Sequence, residues 1–130
     1  MSIWGRKVSA KVVAALAVTM IVGALLPVMT QAPDRQITLV VRGMAFYLDG
    51  DTRPNPPIAV KAGERVRIVI RNEERGITHD FAVPALGEAS SLLTWNESDD
   101  VTFEAPAQRG TYEYVCNPHR AMMKGTLTVD

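Results

Sequence analysis

The residues best suited to chemistry in this chain are a small set of sulfur and imidazole side chains. Among 130 residues there are one Cys and two His. Cys116 and His119 stand close together, Met122 and Met123 follow directly, and His79 lies well upstream. A thiolate, two imidazoles and a thioether form the ligand set of a blue-copper electron-transfer site. These residue types therefore predict one mononuclear copper site.

The first candidate ligand, His79, lies in an apolar segment, residues 78–83, that is predicted to be a strand. Alternate residues of a strand share a face, so His79 points the same way as Phe81 and Val83, which is inward. A buried imidazole needs a hydrogen-bonding or metal partner. Two interpretations of His79 stay open at this point, a metal ligand and a core histidine bonded to the backbone.

The other candidate ligands lie in a loop between two predicted strands. Residues 110–116 form the first of these strands and end in Cys116. Pro118 stops the strand because proline has no N–H for the hydrogen-bond ladder. The chain then turns through His119 and the two methionines, and a last strand begins after Gly125. Such a tight loop can hold sulfur and nitrogen ligands around one point.

Short segments that alternate apolar and polar residues follow one another from residue 37 onward. This period of two is typical of half-buried strands, and Gly, Pro, Asp and Asn cluster between them. No long helical period occurs after residue 33. One all-β sandwich is therefore predicted, with these residues pointing inward: Ile37, Leu39, Val41, Val66, Ile68, Ile70, Val101, Phe103, Leu127 and Val129.

The first 32 residues have the pattern of an export segment. Three basic residues near the start precede an apolar stretch, residues 12–28, and small residues precede a cleavage point after Ala32. The stretch is long for a signal peptide and short for a spanning helix, so a cleaved signal peptide (1–32) and an uncleaved membrane anchor both remain open. In both cases residues 33–130 form a domain in the periplasm or another extracytoplasmic space.

Composition limits the function classes. Residues 33–130 carry 11 Lys and Arg against 14 Asp and Glu, a net charge of about −3, which argues against nucleic acid as a partner. A single Cys cannot form an internal disulfide, so Cys116 is an intermolecular, inert or metal-ligating thiol. No further His is present for the open second metal site of an oxidase or reductase, so an enzyme is not expected.

Residues 110–129 resemble the C-terminal copper loop of the cupredoxins, the plastocyanin, amicyanin and pseudoazurin group. In that group the loop runs Cys-x-Pro-His, then a Met, then a Gly and a final strand. The segment 71–81 resembles the segment that carries the first ligand of the same group. The resemblance covers about residues 37–130, and it implies a Greek-key β-sandwich with one copper ion at one end.

The resemblance also implies the ligands, which are His79, Cys116, His119 and an axial methionine. Met122 has the amicyanin spacing after the histidine, whereas Met123 has the Met-x-Gly spacing that opens the final strand. Met123 is therefore the predicted axial ligand and Met122 the alternative. Asp80 departs from the pattern, because many members have an Asn there that helps to hold the Cys loop.

The function implied by the resemblance is that of a type 1 copper electron carrier, which turns over no substrate. Such a monomer shuttles single electrons between redox proteins, such as a cytochrome or a membrane oxidase or reductase, with His119 nearest the surface as the electron port. It contacts no nucleic acid, and it meets the membrane only through residues 12–28 if these are not removed. The alternative is a protein that stores, delivers or senses copper.

Overall fold

Strands make up most of residues 31–130, the part of the chain that this computed structural model describes. They are listed in chain order as β1 (Arg35–Arg42), β2 (Ala45–Leu48), β3 (Ile58–Val60), β4 (Arg65–Asn72), β5 (Ala82–Val83), β6 (Glu88–Ala89), β7 (Ser98–Glu104), β8 (Gly110–Val115) and β9 (Lys124–Val129). Short 3-10 turns lie at Pro84–Leu86 and Asn117–His119.

The strands form two sheets that share one buried apolar cluster. One sheet has the order β2-β1-β4-β7 and the other the order β3-β9-β8-β5-β6. Both sheets are mixed, because β1 pairs with β4 and β3 pairs with β9 in parallel, while the other pairs are antiparallel. The predicted all-β sandwich is confirmed. The alternation pattern does not predict β2 or β3, because three or four residues are too few to show a period.

Burial follows the predicted alternation in three strands and departs from it in one. The inward residues of β4, β7 and β9 are buried as predicted. In β1, however, Leu39, Val40 and Val41 are all buried. Val40 faces away from the other two, and its cross-strand partners on that face are Tyr47 and Arg71. Long side chains on neighbouring strands cover a residue between them, which explains the burial of Val40.

The predicted strand over residues 78–83 is mostly wrong. Only Ala82–Val83 forms a strand, and His79 makes an isolated bridge to Leu93 instead. All residues from His79 to Val83 are buried, so the expected alternation is absent. The acidic member of this run, Asp80, has its hydrogen-bond partners in the loop after β8, so its carboxylate is satisfied without facing solvent.

Residues 1–30 of the predicted export segment, which include the apolar stretch 12–28, lie outside the described residues. Within residues 31–130, no helix has both the length and the hydropathy required to cross a bilayer.

Candidate metal centre

Two segments, the connection between β4 and β5 and the loop between β8 and β9, bring the candidate ligands together. His79 lies between β4 and β5, Cys116 follows β8, His119 ends a 3-10 turn, and Met123 precedes β9. Nδ1 of His79 is 3.7 Å from Sγ of Cys116. The ring centroids of His79 and His119 are 5.0 Å apart, with the planes tilted by 56°. Residues distant in sequence thus place two imidazoles beside one thiol.

The loop after β8 is closed by backbone hydrogen bonds among the candidate ligands. The N–H of Cys116 donates to the carbonyl of Met123 at 3.0 Å, and the N–H of Met123 donates to the carbonyl of His119 at 2.9 Å. The His119 N–H in turn donates to the carbonyl of Cys116 at 3.1 Å. These bonds hold the three residues that carry the thiol, the imidazole and the thioether in one tight loop.

The two methionines of this loop have opposite environments. Met123 is fully buried and belongs to the same apolar cluster as Cys116, whereas the side chain of Met122 is 62% exposed. A buried thioether beside a buried thiol can complete a set of soft ligands. Met122 instead forms part of the exposed surface next to His119.

The ring of His79 is oriented by a carboxylate. Its Nε2 lies 3.0 Å from Oε2 of Glu74, and the same oxygen accepts the N–H of Met44 at 2.9 Å. A carboxylate oxygen only accepts, so Nε2 of His79 carries the proton and Nδ1 keeps a free lone pair toward Cys116. Burial lowers the pKa of His79, and Glu74 opposes that effect by favouring the charged ring.

The ring of His119 is oriented by a backbone carbonyl. Its Nε2 lies 3.2 Å from the carbonyl oxygen of Thr78, the residue before His79. A carbonyl also only accepts, so Nε2 of His119 donates and Nδ1 is left with a lone pair. In both histidines, therefore, a hydrogen bond to Nε2 leaves Nδ1 as the nitrogen able to bind a metal.

Asp80 fastens the Cys loop to the segment that carries His79. Its Oδ1 accepts the backbone N–H of Asn117 at 2.6 Å, and its Oδ2 accepts the side-chain amide of the same residue at 2.8 Å. Asp80 is 5% exposed. The carboxylate at this position thus makes the loop contact for which the resemblance implies an Asn in other members.

Burial raises the pKa of the Cys116 thiol. The N–H groups of Asp80 and His119 favour the thiolate, but the negative charge of Asp80 disfavours it. Without a metal, burial and the charge of Asp80 therefore favour the neutral thiol of Cys116 over its thiolate. A bound metal cation would supply positive charge and replace the thiol proton.

Asn72 ties together the two segments on either side of His79. Its side-chain amide donates to the carbonyls of Ile77 and Leu93, both at 2.9 Å, and its Oδ1 accepts the N–H of Glu74 at 2.8 Å. Leu93 and His79 exchange two backbone hydrogen bonds, at 3.1 and 2.7 Å. From the sequence Glu74 is expected to be a solvated loop charge, which is wrong because its side chain is only 17% exposed and contacts His79. For Asn72 the only signal is its place in the segment that resembles the first-ligand segment.

Three aromatic rings pack in the same buried cluster as Cys116. Phe46, Phe81 and Tyr114 have ring centroids 5.5–5.9 Å apart, and they share the buried cluster with Cys116. The hydroxyl of Tyr114 donates to the carbonyl of Pro56 at 2.5 Å, and burial raises its pKa. The Tyr114 ring covers Gly125, its cross-strand partner on β9. A Cβ at Gly125 would lie 2.3 Å from that ring.

The donor set fits a copper ion better than a hard cation. Thiolate and thioether sulfur favour copper over Mg²⁺ or Ca²⁺, and imidazole nitrogen suits both copper oxidation states. Within residues 31–130, no three His, Cys, Asp or Glu side chains have the arrangement of a complete metal site. The candidate centre thus rests on the named contacts of His79, Cys116 and His119 together with the buried Met123.

Comparison with known proteins identifies the family. The Cupredoxin-like domain family matches residues 12–129. Chloroplastic plastocyanin of Physcomitrium patens is 39% identical over 84 residues, which cover 55% of this chain and 46% of that protein. The chain thus spans about half the length of that curated relative.

Two solved structures share the fold. Auracyanin A, described as a "blue" copper protein of Chloroflexus aurantiacus, is 25% identical, with a TM-score of 0.60 over 74% of this chain and 98% of that one. Rusticyanin from Thiobacillus ferrooxidans is 20% identical, with a TM-score of 0.60 over 77% of this chain and 79% of that one; at this identity the likeness concerns the fold alone. The family match spans most of the sequence, and the chain therefore belongs to the cupredoxin-like family.

Proposed function

We propose that this protein binds one copper ion and carries single electrons between redox partners. The observation that supports this proposal is the short distance, 3.7 Å, between Nδ1 of His79 and Sγ of Cys116. The ring of His119 lies next to that of His79, and Met123 is buried in the same cluster as Cys116. These four residues would hold the ion, with Met123 rather than Met122 supplying the thioether. When bound there, copper supplies a one-electron couple between Cu(I) and Cu(II).

The protein's own part in this function is to keep the ligands still. Electron transfer is fast when oxidation moves few atoms, and here each ligand is held by bonds that do not depend on the metal. Glu74 and Thr78 hold the two rings, and the backbone bonds between Cys116 and Met123 hold the loop. Burial of Cys116 excludes water from the thiolate.

Electrons would enter and leave through His119. This ring is partly exposed, while the other proposed ligands are fully buried. Pro118, Ala121 and Met122 are exposed around it. A small apolar surface suits the brief, weak contacts that redox proteins make, so a cytochrome or a membrane oxidase or reductase fits as the partner of a monomeric carrier.

The proposed location is outside the inner membrane. The basic and apolar pattern of residues 1–32 supports either a signal peptide or an anchor that places residues 33–130 in the periplasm or an equivalent space. The relative in Physcomitrium patens is chloroplastic by name. Catalytic turnover is not part of the proposal, because the two histidines are both assigned to one site.

The proposal is tested by electrochemistry of the copper-loaded protein. The expected result is a reversible one-electron wave and rapid electron exchange with a small c-type cytochrome, with no loss of copper over repeated cycles. Transfer of the copper to a competing chelator or to an apo-acceptor on each reduction would contradict this result. That outcome would favour copper storage or delivery, the alternative function.

A further inference from the structure

We infer that two carboxylates, Glu74 and Asp80, lower the reduction potential of the proposed centre by stabilising its oxidised form. The inference rests on the proposed copper site. It assigns to Glu74 and Asp80 a tuning role in addition to the positioning of His79 and of the Cys loop. Each carboxylate is connected to a different proposed ligand, so their effects on the potential are separable.

Glu74 acts on the His79 side. Its Oε2 is 3.0 Å from Nε2 of His79, and its side chain is only 17% exposed. A carboxylate that accepts the second N–H of a metal-bound imidazole makes the ring a stronger electron donor. A stronger donor favours Cu(II) over Cu(I). The backbone N–H of Met44 donates to the same oxygen at 2.9 Å, and this bond keeps the Glu74 carboxylate oriented toward His79.

Asp80 acts on the Cys116 side. Its two oxygens accept the backbone N–H and the side-chain amide of Asn117, the residue directly after Cys116. At 5% exposure, its charge is poorly screened by water. Because Asn117 directly follows Cys116, these contacts hold the negative charge of Asp80 beside the Cys loop. The same charge would disfavour the electron added on reduction.

Neither carboxylate forms an ion pair with Lys or Arg in the part of the chain that the structure describes. The ion pairs of Arg35, Arg67, Arg71 and Arg120 are with other carboxylates, and the only pair made by Glu74 is with His79. A thiolate and Cu(II) leave one positive charge at the centre, and Cu(I) leaves none. Two nearby negative charges therefore attract the oxidised centre and not the reduced one.

The charges can be removed without removing the hydrogen bonds. In Glu74→Gln the amide oxygen can still accept from His79 and Met44. In Asp80→Asn the amide oxygen can still accept the backbone N–H of Asn117, whose own amide can rotate to pair with the new NH₂ group. Glu104→Gln is the matched control, because Glu104 is exposed and lies on β7 opposite Arg65, at the end of β4 remote from Asn72.

The test is the reduction potential of the copper-loaded wild type, the three single variants and the Glu74→Gln/Asp80→Asn double variant. We expect Glu74→Gln and Asp80→Asn each to shift the preference toward Cu(I) by about tenfold, which is about 59 mV for a one-electron couple. The double variant should shift further, and Glu104→Gln should stay at the wild-type value. The shifts should persist in high salt, because buried charges are screened little.

Absorption and EPR spectra separate tuning from a merely structural role. Spectra like the wild type's together with raised potentials would support the inference. Unchanged potentials in both Glu74→Gln and Asp80→Asn, with the copper spectra retained, would overturn it and leave the proposed function standing. Altered spectra with no rise in potential would assign the carboxylates a structural role only. A wild type without a thiolate-to-copper band would instead refute the proposed function itself.

Discussion

Met122 and Met123 are adjacent in sequence, yet only Met123 is buried in the same cluster as Cys116. Met123→Leu nearly conserves volume and removes a weak sulfur donor, which disfavours Cu(II). We expect its reduction potential to rise by about 59 mV, a tenfold change in preference, as measured by redox titration. Met122→Leu is the control, and at 62% exposure it should leave the potential unchanged. The opposite ranking of the two variants would assign the axial role to Met122.

The sequence predicts which residues are the candidate ligands better than it predicts the contacts that surround them. His79, Cys116 and His119 stand out because the chain has no other Cys or His. Glu74 does not stand out among 14 acidic residues, and its contact with His79 depends on how the loop after β4 folds back. The period of two also failed around Asp80, because a loop contact from Asn117 satisfied its carboxylate in a buried place.

Pairing between β8 and β9 depends on a close fit of ring and backbone. Tyr114 lies over Gly125, where an added Cβ would be 2.3 Å from the ring. Gly125→Ala should lower the free energy of unfolding by about 1–3 kcal/mol, the usual cost of overpacking, as measured by denaturant titration. Thr126→Ala, at the exposed next position, should change it by no more than about 0.5 kcal/mol. Equal effects of the two variants would contradict this account of Gly125.

The end of β4 is connected to the His79 segment through one buried amide. Asn72→Ala leaves the carbonyls of Ile77 and Leu93 without their side-chain donor. We expect a loss of about 1–3 kcal/mol in the free energy of unfolding, the cost of an unsatisfied buried polar group, and faster loss of copper. Ser98→Ala, an exposed change on β7, is the control. Copper retention equal to the wild type's in a destabilised Asn72→Ala would separate Asn72 from the centre.

Strand prediction succeeded where a strand is long enough to show its period. The inward apolar residues of β4, β7 and β9 are all predicted by alternation. Strands β2 and β3 have four and three residues, so their sequences carry too little pattern. The parallel pairing of β1 with β4 and of β3 with β9 also has no local signal, because it joins segments far apart in the chain.

For the whole molecule, two buried ligand groups should shape the stability of the metal-free protein. The pKa of His79 is lowered from its usual 6.5, so the unfolded chain binds more protons as the pH falls below that value, and stability is lost. The pKa of Cys116 is raised from its usual 9.0, so the unfolded chain releases more protons above that value, and stability is lost again. Stability should therefore be greatest between these values.

Denaturant titrations across this pH range check that prediction. His79→Gln should reduce the loss on the acid side, and Cys116→Ala should reduce the loss on the alkaline side. Each variant should leave the opposite side as in the wild type. Acid and alkaline profiles that stay the same in both variants would show that other groups govern the pH dependence.

The central claim is that Cys116 is the thiolate ligand of a copper electron-transfer centre. The most direct measurement is the visible absorption of the purified protein with one equivalent of Cu(II), beside Cys116→Ser. We predict an intense thiolate-to-copper band with narrow copper hyperfine splitting in EPR, both lost in the variant. A pale spectrum in the wild type, or a band that survives in Cys116→Ser, would contradict the account.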